Sequence, residues 1–446
     1  MKFSAALVTG LLLLTSLQLT AQTYTLEDYM SEVQQHNRNL RLAREEKRLA
    51  GVQEDEALAG ALPQVGVQAG YTANLSDYFM YFDMSAFQPG ATGTAKAPIK
   101  RNNEFSATVA LQQTLFSPSV FHAITASQQY SDLTDEAVED ARQQILLGSK
   151  KLFYQTILLQ KVLEVSRASE ANARDNYEII QKKYDNGQVS QLELLLAETR
   201  WRNTVPATDA AVRNLSIAMN MVKTLAGMNL DREITLSGNL NRVPPEPVDV
   251  SIDQAFETRT DLRMLQKEAE LRGTAIKAAK GSYIPTLSGT LALNYSAQSD
   301  EFKLDEENNL FFAGVTLSWP IYTGGYISAQ VERASIELEK TKLRLQQTRD
   351  EARSELANIR LRLTEARSRI TSAEATLKAA KKAFEIAETT TKSGLTTQLQ
   401  LKDARMQYDQ AQLGYYAAVY DYREAIFDWE HASGRMPRES SSEQRS

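Results

Sequence analysis

The two halves of this chain repeat one order of segments: a short helix, a pair of alternating strands, a very long helix, a glycine and a returning helix. The segment ALPQVGVQAGY from Ala61 recurs as SYIPTLSGTLALNY from Ser282, and NNEFSATVALQQTLF from Asn102 recurs as NNLFFAGVTLSWPIY from Asn308. In addition, YDNGQVSQLELL in the first half matches TKSGLTTQLQLK in the second. Duplication with preserved spacing predicts two equivalent structural units that pack together.

The first 21 residues have the features of a secretory signal. Lys2 precedes an apolar run that ends near Leu19, and Thr20 and Ala21 stand before the expected cleavage site. The run is too short and too early for a spanning helix, so we expect an exported mature chain that begins at Gln22. The chain contains no cysteine, which excludes disulfides and lipidation of an N-terminal cysteine.

The charge distribution argues against a nucleic-acid partner. The formal charge of −6 becomes −7 when Lys2 is removed with the signal, and both signs are interspersed along the chain. Because no basic stripe is present to neutralise phosphates, we expect no nucleic-acid binding. Beyond the signal there is no run of about 18 to 20 apolar residues, but hydropathy of this kind does not detect β-barrel strands.

Four segments of about ten residues alternate apolar and polar side chains, which is the period of a strand with one wet face. We expect these strands at 64–75, 105–116, 286–296 and 311–322. About ten residues is the length that a tilted strand needs to cross a bilayer. Aromatic residues near the strand ends suit the two membrane interfaces: Tyr71, Phe105, Phe116, Tyr295, Phe311, Trp319 and Tyr322.

Four strands are too few to close a barrel. An open edge in lipid would leave backbone groups unpaired, at a cost of several kcal/mol each, so the chain must oligomerise. Three copies would form a twelve-stranded barrel with an aqueous bore, although the sequence alone also permits two or four copies. The alternative is a pair of hairpins in a soluble sandwich. The nearly uncharged polar face and the lack of other strand segments favour the barrel.

The helical segments predict a coiled-coil conduit. We expect long helices at 118–186 and 326–392, returning helices at 190–226 and 396–432, and shorter helices at about 26–61 and 252–283. The second long helix has apolar residues seven apart, which predicts coiled-coil packing: Leu338, Leu345, Ala352, Ile359, Ala366, Ala373, Ala380 and Ala387. The first repeat then covers 22–240, a proline-rich strap covers 241–250, the second repeat covers 251–434, and a polar tail at 435–446 is expected to be disordered.

With these features, the chain resembles the TolC family of outer-membrane efflux proteins over nearly its whole mature length. The duplicated order, the glycines Gly187 and Gly394, and the prolines Pro63 and Pro285 at the helix-to-strand junctions are specific in combination. The resemblance implies a mostly α fold with β: a homotrimer whose twelve-stranded barrel lies in outer-membrane lipid above an α-helical periplasmic tunnel. It also implies that the helix tips meet a periplasmic adaptor, or membrane fusion protein, which connects the duct to an inner-membrane pump or a type I secretion ATPase.

The family's tip motif assigns candidate site residues by resemblance. An acidic residue follows the first tip glycine by six positions, matched here by Glu193, and the family's second tip has acidic residues six and nine after its glycine, where this chain has Gln400 and Asp403. The tyrosine and arginine that lock the entrance of the best-known members are replaced by Thr391 and Thr396. The expected adaptor contacts are Gly187, Gln188, Val189, Glu193, Gly394, Leu395 and Thr396.

Gln400 and Asp403 are the expected entrance constriction. A ring of three Asp403 carboxylates would attract cations and favour cationic cargo. The alternative is that Asp403 is a solvated helix residue.

Three other function classes fit the sequence less well. The three histidines, His36, His122 and His431, lie far apart without a catalytic grouping, so we expect no enzyme, no cofactor and no metal site. A trimeric coiled-coil adhesin or stalk would carry its strands at one terminus, whereas these strands interrupt the helices twice. A duct specific for metal cations would use the cluster of Met219, Met221 and Met228, but core packing explains those residues better.

Overall fold

The computed structural model describes residues 22–77, 79–84, 90, 92–393 and 397–436, and this part of the chain is mostly helical with some sheet. The predicted signal, the second-tip residues Gly394, Leu395 and Thr396, and the tail beyond Met436 lie outside the described residues. The chain divides into two compact units. The first contains the residues up to Ala43, Val138–Arg259 and those from Asp350 onward, and the second contains Arg44–Ala137 and Thr260–Arg349.

Helices make up most of the described residues: α1 (Leu26–His36), α2 (Arg38–Ala59), α3 (Pro118–Asp185), α4 (Gln191–Leu225), α5 (Ile252–Thr258), α6 (Thr260–Gly281), α7 (Tyr326–Lys392) and α8 (Gln398–Ala432). The long helix α3 begins with a proline, which is tolerated in a first turn because the amide there has no helical partner. In α7 the heptad residues Ala352, Ile359, Ala366 and Ala387 are buried. Their burial gives α7 a continuous packing stripe along an otherwise polar helix.

The helices that precede each strand pair are broken once, where the sequence predicts continuous helices. Asn37 separates α1 from α2: its side chain accepts a bond from the Leu40 amide at 2.9 Å and donates to the Leu225 carbonyl at 2.7 Å. Arg259 separates α5 from α6 and donates to the Ala432 carbonyl at 3.2 Å. Each break therefore occurs where a polar side chain donates to the last carbonyl of a returning helix, which has no partner within that helix.

The two returning helices end in the same way. Gly227 and Gly434 both have φ +67°, and each packs against the residue before a break, His36 or Thr258. A Cβ on Gly227 would lie 2.4 Å from the His36 carbonyl oxygen. After Gly434 the Arg435 amide donates to the Glu430 carbonyl and Met436 is buried. Arg435 and Met436, the first two residues of the predicted tail at 435–446, thus take part in this helix cap.

The strands are β1 (Gln22–Tyr24), β2 (Gln64–Ala73), β3 (Phe79–Asp83), β4 (Thr94–Pro98), β5 (Asn103–Phe116), β6 (Ile234–Leu236), β7 (Thr286–Ser299) and β8 (Asn308–Ser318). An antiparallel sheet has the order β2-β5-β7-β8, β3 and β4 form a hairpin, and β1 pairs with β6 in parallel. The sequence expectation of no further strand segments is therefore wrong. The four missed strands are three to five residues long, too short to show a clear alternation.

The core of the first unit lies where the returning helices approach the long helices. Its largest fully buried side chains include Tyr29, Phe153, Ile157 and Tyr422, which belong to α1, α3 and α8. Residues from the β1 and β6 pair, such as Tyr24 and Leu236, join the same cluster. The core therefore connects elements from both halves of the sequence.

Ion pairs hold α3 against its neighbours in the second unit. Lys47 of α2 lies 2.6 Å from Asp135, and Arg263 of α6 pairs with Glu136. Close packing continues at the start of α3, where a Cβ on Gly281 would lie 3.0 Å from Pro118. These contacts pack α2 and α6 against the N-terminal part of α3, which follows β5 in the chain.

Candidate functional site

The register of the four-stranded sheet sorts its side chains into alternating rows. Val67 pairs with Val109, which pairs with Leu293, which pairs with Phe311, so that one row is wholly apolar. The next row contains Gln68, Thr108, Asn294 and Leu310. Because successive residues point to opposite faces, the sheet has an apolar face and a mostly polar face. Leu310 is an apolar exception on the polar face, and the row of Gly66, Ala110, Ala292 and Phe312 on that face contains no polar side chain.

Tyr71, Phe105, Tyr295 and Phe116 occupy three heights on this sheet. Tyr71 and Phe105 pair at the end of the sheet remote from α3 and form a ring cluster with Phe302 at 5.1 to 5.5 Å between centroids. Tyr295 lies two residues before that level on β7. Phe116 lies at the end next to α3, 6.1 Å from the Phe121 ring. Both ends of the sheet therefore carry rings.

Three aromatic residues differ from the positions that the sequence predicts. Phe311 lies in the middle row, because β8 begins at Asn308 rather than at 311. Trp319 and Tyr322 lie beyond β8, which ends at Ser318 because Pro320 cannot donate to a ladder. The Trp319 indole instead donates to the Tyr283 carbonyl at 3.2 Å, which fixes the ring just outside the strand.

The sheet has two open edges within the described part of the chain. β2 pairs only with β5, and β8 pairs only with β7. Each edge strand therefore presents a row of backbone N–H and C=O groups on its outer side. The row extends over 10 residues in β2 and 11 residues in β8, much longer than the edges that soluble proteins usually leave open.

The first tip is a tightly capped turn. Gly187 has φ +69°, and its amide and that of Gln188 donate to the Tyr184 and Lys183 carbonyls at 2.8 Å. A left-handed residue is required at this position, which is why glycine ends the helix. Ser190 then caps α4 by accepting the Glu193 amide at 3.3 Å. Gln188 and Glu193 are exposed, and Val189 is half-buried.

The described part of the second tip uses one predicted constriction residue as a helix cap. The Gln400 side chain accepts the Thr397 amide at 3.1 Å, and Thr397 accepts the Gln400 amide at 3.3 Å. This reciprocal pair of bonds is a capping box, so the side-chain oxygen of Gln400 is bonded to the cap of its own helix. Thr391 donates to the Ala387 carbonyl at 2.7 Å. It therefore forms a bond within α7.

Asp403 is exposed on α8 and lies near a cation that sequence reasoning missed. Burial lowers the pKa of the half-buried Arg200 guanidinium on α4, and the Asp403 carboxylate acts in the opposite direction. Arg200 and Asp403 belong to different repeats, so their proximity follows from the packing of α4 near α8. The Asp403 carboxylate therefore interacts electrostatically with a cation of the same chain.

A matched pair of aromatic stacks joins each returning helix to its long helix. The Tyr177 and Trp201 rings lie 5.4 Å apart at 19°, and the Phe384 and Tyr408 rings lie 5.7 Å apart at 3°. Both pairs occupy the positions ten residues before and fourteen residues after a tip glycine. We call these pairs the aromatic clamps. Alignment of the two repeats on their tip glycines would have revealed them.

An ion pair accompanies each clamp, with the charges exchanged between repeats. Glu198 and Arg202 are 2.8 Å apart beside Trp201, whereas Arg405 and Asp409 are 2.9 Å apart at the equivalent positions beside Tyr408. The Arg405 guanidinium lies 5.0 Å from the Phe384 ring centroid. Burial raises the pKa of the Asp409 carboxyl, while Arg405 and a bond from Ser169 lower it. The second clamp is thus the more enclosed.

None of the helices in the described ranges has both the length and the apolar content needed to cross a membrane. The same ranges contain no group of three or more His, Cys, Asp or Glu side chains placed to hold a metal ion.

Comparisons with known proteins give consistent matches. A family model described as outer membrane efflux protein matches residues 29–228 and 251–433. The outer membrane protein TolC of Escherichia coli is 22% identical over 330 residues, which cover 70% of this chain and 62% of that protein. The alkaline protease secretion protein AprF of Pseudomonas aeruginosa is 20% identical over 250 residues, which cover 54% of this chain and 52% of AprF.

A solved structure extends the likeness to the whole fold. The Campylobacter jejuni CmeC outer membrane channel matches with a TM-score of 0.77 and 17% identity, over 93% of this chain and 87% of that one. At this identity the match shows the fold alone. The chain spans less than two thirds of the length of the two relatives matched by sequence.

Proposed function

Because this chain belongs to the outer membrane efflux protein family, we propose that it is the outer-membrane exit duct of a tripartite efflux pump or a type I secretion system. Three copies form a twelve-stranded barrel in outer-membrane lipid, and their helices form a periplasmic tunnel. The duct passively conducts small molecules or secreted polypeptide. The relatives support both types of cargo by their names, since CmeC is an outer membrane channel and AprF a protease secretion protein.

The observation that carries this proposal is the pair of open sheet edges. Every neighbouring pair in the order β2-β5-β7-β8 is antiparallel, so β8 runs opposite to β2. The β8 edge of one copy therefore has the right direction to pair with the β2 edge of the next and to continue the antiparallel order. Pairing around a ring removes both edges from lipid, where unpaired backbone groups are costly.

We assign the lipid-facing side of such a ring from the side chains on the two faces of the sheet. The apolar row through Val67, Val109, Leu293 and Phe311 would face hydrocarbon, and the row through Gln68, Thr108 and Asn294 would face water. Within the described sheet Glu104 is the charged residue of the water-facing side, and an interior lined mainly by uncharged side chains is suited to a passive conduit. The ring-bearing sheet ends would lie near the two interfaces.

We also infer that the tips contact a periplasmic adaptor that is itself coupled to an inner-membrane pump. Leu192 and Leu399 follow the two tips at equivalent positions and are 66% and 60% exposed. Leucines this exposed at both tips favour a partner that covers them. The proposed contact residues remain Gly187, Gln188, Val189, Glu193, Gly394, Leu395 and Thr396.

Conductance in planar bilayers tests the duct. The purified mature chain should form long-lived channels, and removal of its gene should make the cell more sensitive to toxic compounds or abolish export of one polypeptide. The same channels should be blocked by divalent cations from the tip side if Asp403 lines the entrance. Asp403→Ala should relieve this block and Glu193→Gln should preserve it. A chain that forms no channels, in cells unaffected by its loss, would rule out the exit-duct proposal.

A further inference from the structure

Two large apolar side chains lie on the polar face of the four-stranded sheet. Leu310 and Phe312 are both in β8 and two residues apart, so they point to the same side. In the rows where all four strands pair, every other position of this face holds Gly, Ala, Ser, Thr, Asn or Gln. We call Leu310 and Phe312 the β8 apolar pair. Within these rows, the pair alone gives the polar face a sizeable apolar surface.

The neighbours of Phe312 within its own chain are too small to cover its ring. Phe312 pairs with Ala292, and the row continues through Ala110 to Gly66. In the single chain Phe312 is 41% exposed and Leu310 is 58% exposed. Because the rest of the row consists of two methyl groups and a glycine, the ring projects beyond it. The described sheet therefore leaves the β8 apolar pair open on the β7 side.

The other side of the pair is the β8 edge, which in the proposed barrel meets β2 of the next copy. The residues of β2 on the polar face are two glycines and three polar residues: Gln64, Gly66, Gln68, Gly70 and Thr72. A Cβ built on Gly66 would meet nothing within 4 Å. Whatever the register between copies, β2 therefore brings no large apolar side chain to cover Phe312.

Three copies would repeat the pair three times at one height of the lumen. The Phe312 row is next to the mid-sheet row of Val67 and Phe311, and the two residues of the pair span about 7 Å along the strand. An apolar surface in contact with water is stabilised when an apolar ligand covers it. An exposed phenyl ring also favours stacked or edge-to-face contact with a second ring. The lumen thus offers a narrow band that suits aromatic groups.

We propose that the β8 apolar pairs of three copies form a contact band in the barrel lumen, which binds aromatic rings of small-molecule cargo during passage. Phe312 supplies the ring contact, and Leu310 extends the apolar surface beside it. The proposal rests on the proposed function, since it needs the polar face to enclose the lumen. Binding at the band is weak, because a conduit must release what it binds.

Thiol labelling tests the placement of Phe312 without reference to conduction. The chain has no cysteine, so Phe312→Cys and Phe311→Cys each introduce a single thiol, at neighbouring positions on opposite faces. In lipid vesicles, a charged water-soluble methanethiosulfonate should modify the Phe312→Cys protein at least about tenfold faster, because a thiol in hydrocarbon does not form the reactive thiolate. Equal rates, or faster modification of Phe311→Cys, would overturn the contact band.

Channel block then tests the binding of aromatic rings. Tetramethylammonium and phenyltrimethylammonium have the same charge, and a phenyl ring replaces one methyl group in the second. In planar bilayers the phenyl ion should reduce the current of the unsubstituted channel at a concentration at least about threefold lower. Phe312→Leu should bring the two blocking concentrations together, and the control Phe311→Leu should leave their difference unchanged.

The possible failures are distinguishable. Equal block by the two ions in the unsubstituted channel, or an undiminished difference in Phe312→Leu, would overturn the contact band while the duct stands. If the unsubstituted protein conducts no current, the proposed function fails and the band fails with it. Faster labelling of Phe312→Cys in that case would show a water-facing sheet surface without a duct.

Discussion

An arginine on the apolar face of the sheet should destabilise the assembled protein, whereas an arginine on the polar face should have little effect. Val67 and Gln68 are neighbours in β2, and the register places them in adjacent rows. Val67 is 74% exposed in the single chain, although it lies in a row with Val109, Leu293 and Phe311 at mid-sheet. The substitutions Val67→Arg and Gln68→Arg add the same side chain at nearly the same height.

The expected difference follows from the depth of this row. An arginine on the lipid face near the bilayer midplane costs about 2 to 4 kcal/mol per chain, whereas a lumen-facing arginine is solvated. Three copies would lose about 6 to 12 kcal/mol in Val67→Arg, because each copy contributes one charge to the same layer. Gln68→Arg should cost at most about 1 kcal/mol per chain, since both side chains are polar and wet.

Folding into lipid vesicles is the appropriate assay. Urea titration of the vesicle-inserted protein, followed by tryptophan fluorescence, should show a much lower midpoint for Val67→Arg than for Gln68→Arg, with the latter near the unsubstituted protein. The same two variants should also differ in recovered assembly after extraction. Equal destabilisation by both, or the larger loss in Gln68→Arg, would refute the assignment of the apolar face to hydrocarbon.

Three further predictions concern the helical part of the molecule. Gly227→Ala should destabilise the chain by at least about 2 kcal/mol in denaturant titrations, because Gly227 has φ +67° and an added Cβ would lie 2.4 Å from the His36 carbonyl oxygen. The control Gly148→Ala should be neutral or stabilising. Arg423 donates to the Asn239 and Arg242 carbonyls at 3.0 Å. Arg423→Ala should therefore lower the free energy of unfolding by about 2 to 3 kcal/mol and speed proteolysis in the strap at 241–250. An unchanged cleavage rate in the strap would contradict this role of Arg423. Because burial raises the pKa of the Asp409 carboxyl above 3.8, its folded form binds a proton more readily than its unfolded form and its contribution to stability falls as pH rises through the folded pKa. The unfolding free energy of Asp409→Asn minus that of the unsubstituted protein should therefore increase with pH just above pH 3.8, and a flat difference would count against the raised pKa.

The strands illustrate how far the sequence predicts the fold. Each of the four segments with period-two alternation overlaps one strand of the four-stranded sheet. The alternation misplaced the strand ends: β8 begins at Asn308 and stops before Trp319. Strand ends depend on hydrogen bonds to the neighbouring strand. The apolar alternation continues through Ile321, but β8 ends at Ser318 because Pro320 has no N–H to donate. The short strands β3 and β4 gave no usable pattern, since five residues contain too few alternations.

Some site residues could be predicted from the local sequence, whereas others depend on packing between distant segments of the chain. Glycine followed by Ser190 or Thr397 identifies a helix turn from local chemistry alone. The capping role of Gln400 was also readable, since a Gln three residues after a Thr is a capping-box signature. The proximity of Arg200 and Asp403 was not, because it depends on how α4 packs near α8 across about 200 residues of sequence. The aromatic clamps occupy equal offsets from Gly187 and Gly394, so aligning the two repeats would have found their residues, although hydrophobic periodicity alone does not pair them.

The number of copies joined edge to edge decides whether the sheet closes into a barrel between chains. Cysteine pairs that place one residue in β2 and one in β8 of this cysteine-free chain can be oxidised in the membrane and the products weighed in detergent. A barrel shared by three copies should give β2-to-β8 cross-links between copies, and closed species of three chains. A monomer that stays folded without detergent, or β2-to-β8 cross-links found only within single chains, would contradict it.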